Sequence, residues 1–110
     1  MSGWERVASF DELRDGELVP VRTAGGRAIC IFRHQGVVGA AVDACSHADF
    51  PLSDGTLLPD GTIECVWHGA RFDCRTGDPL KGPATDPIDL LEVRIEGDSV
   101  FVCAPEARTA

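Results

Sequence analysis

Tyrosine is absent from this 110-residue chain, and aromatic residues make up only 6% of it. Positive charge is scarce as well, with ten Lys and Arg against eighteen Asp and Glu, for a formal net charge of −8. A surface with few stacking rings and a strong negative excess repels a phosphate backbone, which argues against nucleic acid as a partner. No run approaches the roughly 20 apolar residues that cross a bilayer. The opening MSGWERVASFDELRDGE also lacks the apolar core of a secretory signal. A soluble chain confined to the cytoplasm is expected. Five cysteines is an odd number for a disulfide framework, and a reducing compartment would keep thiols free. The cysteines therefore read as metal ligands or packing residues. Histidine occurs three times, as His34, His47 and His68.

What is present suits one globular domain spanning residues 1–110, with 44% hydrophobic and 25% charged residues. SFDEL at 9–13 has the Ser-to-Glu spacing of a capping box, with Phe10 and Leu13 placed to pack inward, and predicts one short helical turn. Strand-like runs surround it at 17–23, 27–34, 36–44, 62–67 and 70–73, separated by Gly25-Gly26, Gln35-Gly36 and Pro59-Asp60-Gly61. LLEVRIEGDSVFVCA places Leu91, Val93 and Ile95 on one side and Glu92, Arg94 and Glu96 on the other, then turns at Gly97-Asp98 into a closing strand. The expected class is all-β, an antiparallel sandwich or small barrel. Residues 44–83 hold four of the seven prolines, and read as a loop-rich cap on that base.

The cap carries two mixed pairs, Cys45 with His47 and Cys65 with His68, and seventeen residues separate the pairs. Zinc fingers usually group cysteine with cysteine and histidine with histidine. A binuclear cluster explains the mixing: if one iron takes both thiolates and the other both imidazoles, two facing loops each supply one ligand to each iron, and two sulfides complete both shells. A mononuclear zinc site accepts the same four side chains and stays open on the residues alone. Cys30, Cys74 and Cys103 are expected to pack, and His34 to be a solvated turn residue.

The order CxH, seventeen residues, CxxH, followed by GARFDCRTG, resembles the Rieske [2Fe–2S] family. CSHADFPLSDG is similar to the first cluster box of its small soluble ferredoxins, and LKGPATDP at 80–87 to the proline loop that shields the cluster. The resemblance covers most of the chain. It implies a Rieske fold and one [2Fe–2S] cluster held by Cys45, His47, Cys65 and His68. It also puts Phe50 and Trp67 where membrane-bound respiratory relatives carry a disulfide. Ala70 and Phe72 stand where those relatives place a serine and a tyrosine that donate hydrogen bonds to cluster sulfurs. Without such donors the potential is expected toward the lower end of the Rieske range of about −150 to +300 mV.

After the cluster takes two histidines only His34 remains, too few for the two-histidine, one-carboxylate iron site of an oxygenase. No GxGxxG stands in a strand-to-helix context for a flavin or nicotinamide. The resemblance implies a monomeric one-electron carrier, itself not an enzyme, between a flavin-dependent ferredoxin reductase and a terminal oxygenase. Electron transfer in iron–sulfur cluster assembly is a second role of similar proteins. A zinc-stabilised binding module is the alternative of a different class.

Overall fold

Strand β3 (Ala28–His34) is buried on both faces, because successive side chains alternate between two separate cores. Ile29 and Ile31 point into one core with Ala8, Leu13, Val38, Ala40, Val100 and Val102. Cys30 and Phe32 point into the other with Leu52, Ile63, Cys65, Ala70 and Phe72. A strand covered on both sides reads as an unbroken apolar run, and AICIF is such a run. Its neighbour β4 (Val37–Val42) supplies the small residues that make room: Gly39 lies opposite Phe32, Ala40 opposite Ile31 and Ala41 opposite Cys30.

The computed structural model describes residues 4–24, 26–44, 51–66, 69–81 and 87–103. Besides β3 and β4 the base contains β1 (Trp4–Ser9), β2 (Leu18–Arg22), β9 (Leu90–Glu96) and β10 (Ser99–Cys103). All pairs are antiparallel, in the order β1-β10-β9-β4-β3-β2. A second antiparallel sheet, in chain order, is formed by β5 (Thr56–Leu57), β6 (Thr62–Glu64), β7 (Arg71–Asp73) and β8 (Pro79–Lys81). Its Leu57, Ile63 and Phe72 press onto the Cys30 and Phe32 face of the base.

The all-β expectation holds: the described residues contain ten strands and two single 3-10 turns. The predicted turn after Ser9 is Phe10–Glu12, with the Ser9 N–H donating to Glu12 Oε1 at 2.8 Å, while Leu13 is buried and Phe10 packs against the first core. Gln35 and Gly36 both take positive φ, 52° and 81°, as a two-residue hairpin turn with right-handed strand twist requires. The Asp15 carboxylate accepts both of their N–H groups, at 2.7 and 3.0 Å, and those bonds hold its carboxyl below the ordinary value.

Four expectations need correction. The cap is more ordered than a set of loops, since residues 56–81 build their own sheet from strands of two or three residues, too short to show a period. The run expected over 62–67 ends at Glu64, where the chain turns. Strand β1 was not foreseen, because WERVAS mixes charge and apolar residues and has a register shift between Arg6 and Ala8. His34 is 7% exposed, not solvated, and its Nε2 lies 3.4 Å from Arg75 Nη2. On β9 the alternation is real but shallow: Leu91 and Val93 are half-buried, while Ile95 at the turn end is exposed.

Gly39 makes the tightest approach in the base. A Cβ there would stand 2.6 Å from Cζ of the buried Phe32 ring and nearer still to Cε1. Gly39→Ala is therefore expected to destabilise the fold by about 1–3 kcal/mol, the usual cost of overpacking. Chemical denaturation should show a lower midpoint with an unchanged slope.

Candidate metal centre

The second predicted ligand pair sits on the connection between β6 and β7. Glu64 and Arg71 face each other as the last register pair, and the Cys65 N–H donates to the Ala70 carbonyl at 2.7 Å. Gly69, at φ 70°, supplies the left-handed turn that lets the chain double back within so few residues. Cys65 is 1% exposed and belongs to the core cluster with Leu52, Ala70 and Phe72. His68 and Trp67 lie outside the described residues.

The first pair, Cys45 and His47, also lies outside the described residues, as do Phe50 and residues 82–86 of the predicted shielding segment at 80–87. The ends of that first loop are described. Asp43 takes two hydrogen bonds from Ser53, one from its N–H and one from its hydroxyl, both at 2.7 Å. Asp43 in turn hangs from the base, its N–H donating to the Ala28 carbonyl at 3.1 Å. The chain then makes the 3-10 turn Leu52–Asp54, whose Leu52 side chain is fully buried.

Backbone packing brings the two loops together. β5 pairs with β6 as Thr56 opposite Glu64 and Leu57 opposite Ile63. One residue earlier, Gly55 lies directly against the Glu64 carbonyl, leaving no room for a side chain. The exit of the first loop is thus fastened to the entry of the second, one residue before Cys65.

These residues fit an iron–sulfur group. Sulfur is the soft donor that iron–sulfur centres use, and Cys65 is placed on a short, hydrogen-bonded turn in an apolar setting. Cys30 sits on β3 and Cys74 just past the end of β7. Burial pushes both thiols up, with the Asp43 charge adding to the effect at Cys30, so neither is poised as a thiolate. Cys74 follows the far end of β7, beyond the pair Thr62 and Asp73, and its N–H bonds to Gly61 at the opposite turn. Cys103 is half-buried and closes β10, between β1 and β9 in the base. Among the described residues no three ligating side chains converge, since three of the four predicted ligands fall outside them.

The Rieske [2Fe-2S] domain model matches residues 3–104. The chain belongs to the Rieske family. A [2Fe–2S] cluster is the cofactor that membership carries. The chain is 37% identical over 97 residues to the 3-phenylpropionate/cinnamic acid dioxygenase ferredoxin subunit of Escherichia coli (strain K12), an alignment covering 88% of this chain and 90% of that protein. Its fold is similar to the ferredoxin of carbazole 1,9a-dioxygenase from Nocardioides aromaticivorans IC177, with a TM-score of 0.86 and 31% identity over 93% of this chain and 98% of that one. A chain from a complex of reduced oxygenase and oxidized ferredoxin in carbazole 1,9a-dioxygenase matches equally well, with a TM-score of 0.86, 30% identity and 94% coverage of both chains.

Sequence reasoning missed the Asp43–Ser53 clamp, the Gly55 abutment and the Glu64–Arg71 pair. The spacing of Asp43 and Ser53 on either side of Cys45 and His47 was the one available hint. Asp43→Ala leaves the Ser53 N–H and hydroxyl without their acceptor, at a cost of about 1–3 kcal/mol. The expected result is a fall in iron bound per chain, measured on purified protein, with far-ultraviolet circular dichroism preserved. Gly55→Ala is expected to lower it further, because a backbone carbonyl cannot yield as a side chain can.

Proposed function

We propose that this Rieske protein is a one-electron carrier, taking an electron from a flavin-dependent reductase and delivering it to a terminal oxygenase. The observation that carries the reading is the near full-length similarity to a protein named as a dioxygenase ferredoxin subunit, over 88% of this chain and 90% of that one. The structural match to the ferredoxin in an oxygenase complex supports the same partner class.

In this proposal Cys45 and Cys65 hold one iron and His47 and His68 the other. When bound, the cluster supplies a centre that accepts and returns a single electron. The chain's own residues do the rest. Asp43, Ser53 and the Cys65–Ala70 hydrogen bond hold the ligand loops in place. Leu52, Ala70 and Phe72 exclude water from below. Val66, next to Cys65, and Leu80 on β8 are each 56% exposed and offer apolar contacts to a docked partner. Between residues 43 and 82 seven acids face three bases, a field that steers toward basic surfaces and weakens with salt. His34 has no part in this chemistry: it is buried at the end of β3 beside Arg75. A cytoplasmic, monomeric carrier of one domain over 1–110 completes the reading, and no described helix is long and apolar enough to cross a membrane.

Two irons and two acid-labile sulfides per chain are expected, with one electron taken up in a reductive titration. One zinc and no sulfide would overturn the reading. Cys65→Ser should abolish the visible absorption, whereas Cys74→Ser should retain it.

Ala70 and Phe72 are fully buried and carry no hydroxyl to donate toward a cluster sulfur. The potential is therefore expected at the lower end of the Rieske range. Phe72→Tyr adds a donor at the position the family resemblance singles out and should raise the potential. A midpoint that stays put or falls, with the tyrosine accommodated and the spectrum intact, contradicts this account of the tuning.

A further inference from the structure

Glu64 and Arg71 bracket the second ligand loop on both strands. They form the last register pair of the β6–β7 hairpin, and Glu64 directly precedes Cys65. Arg71 directly follows Ala70, whose carbonyl holds the Cys65 N–H. The guanidinium donates twice to a single carboxylate oxygen, with Nε at 3.0 Å and Nη2 at 2.9 Å from Oε2. That same oxygen stands 4.0 Å from where a Cβ on Gly69 would lie, so the carboxylate also faces the turn of the loop. The side chains are 33% and 41% exposed, which leaves the pair screened only in part by solvent.

We infer that this ion pair sets the charge beside the cluster and tunes its reduction potential, with Glu64 and Arg71 acting as opposed and nearly cancelling elements. The inference rests on Cys65 being a cluster ligand.

The sign follows from electrostatics. Reduction adds one negative charge to the cluster, so a nearby carboxylate opposes it and a nearby guanidinium favours it. Together the two charges largely cancel at a distance. Removing Arg71 leaves the Glu64 charge uncompensated and makes reduction harder. Removing Glu64 leaves Arg71 uncompensated and makes reduction easier. A role limited to holding the loop shut predicts something else, because loosening the same hairpin from either strand changes cluster exposure in one direction.

The test is a set of reductive titrations on cluster-loaded protein with intact visible spectra. E64Q is expected to shift the midpoint upward and R71Q downward, and the double variant to fall between the two. The gap between the single variants should narrow from 0.05 to 1 M salt, as the screening length shrinks from beyond 10 Å to about 3 Å. Shifts of the same sign, or none, would overturn the inference. If R71Q loses its cluster, E64Q against E64D carries the test: the first removes the charge and should rise, while the second keeps it and should stay with the wild type. A rise shared by both overturns the inference. Cys65→Ser separates the two levels of argument. If it keeps the visible absorption, the ligand assignment has failed. If it loses the absorption while E64Q and R71Q do not move the midpoint, the charge tuning alone has failed.

Discussion

The approach of Gly55 to the Glu64 carbonyl is the contact on which the centre depends. A scheme in which each of two loops gives one ligand to each iron works only if the loops stand side by side. Here the adjacency comes from main chain, through the β5–β6 pairing and a position that admits no side chain. Backbone packing of this kind is stiff, so the described ends of the two loops, at Gly55 and Glu64, are held together by main chain.

Each loop is also closed at its root by a carboxylate, and the two closures differ in charge. Asp43 accepts neutral donors from Ser53, so the first clamp leaves a net negative charge. Glu64 is matched by the Arg71 guanidinium, so the second clamp is close to neutral. The same chemistry that ties the loops down therefore also distributes charge around them. The acidic balance of the cap as a whole acts at longer range, on encounter with partners.

The base beneath is arranged to keep this cap rigid. β3 buries one face in the barrel-like core and the other under the small sheet, so both parts of the molecule share a strand. The small residues Gly39, Ala40 and Ala41 on β4 let the large ones on β3 seat without strain. At the opposite end of the cap, His34 and Arg75 meet between β3 and the turn after β7. This contact gives the third histidine a structural place.

Much of this was legible in the residues. Spacing alone marked Cys45, His47, Cys65 and His68 as candidate ligands, because ligand type and order are chemical properties of the sequence that need no fold to be read. The apolar run of β3, the Gln35-Gly36 turn and the Ser9 to Glu12 box were equally plain, since each depends on neighbours a few positions away. Strands of two or three residues such as β5 and β8 carry no period, and β1 takes its pairing from β10, ninety or more positions later. The burial of His34, the seating of Gly55 and the closures by Asp43 and Glu64 arise from contacts between segments that only folding brings together. The sequence by itself determined the candidate ligands, their order and their spacing. The tertiary structure decided how the ends of the two loops are fastened to each other and which charges close them, because those depend on distance through space and not along the chain.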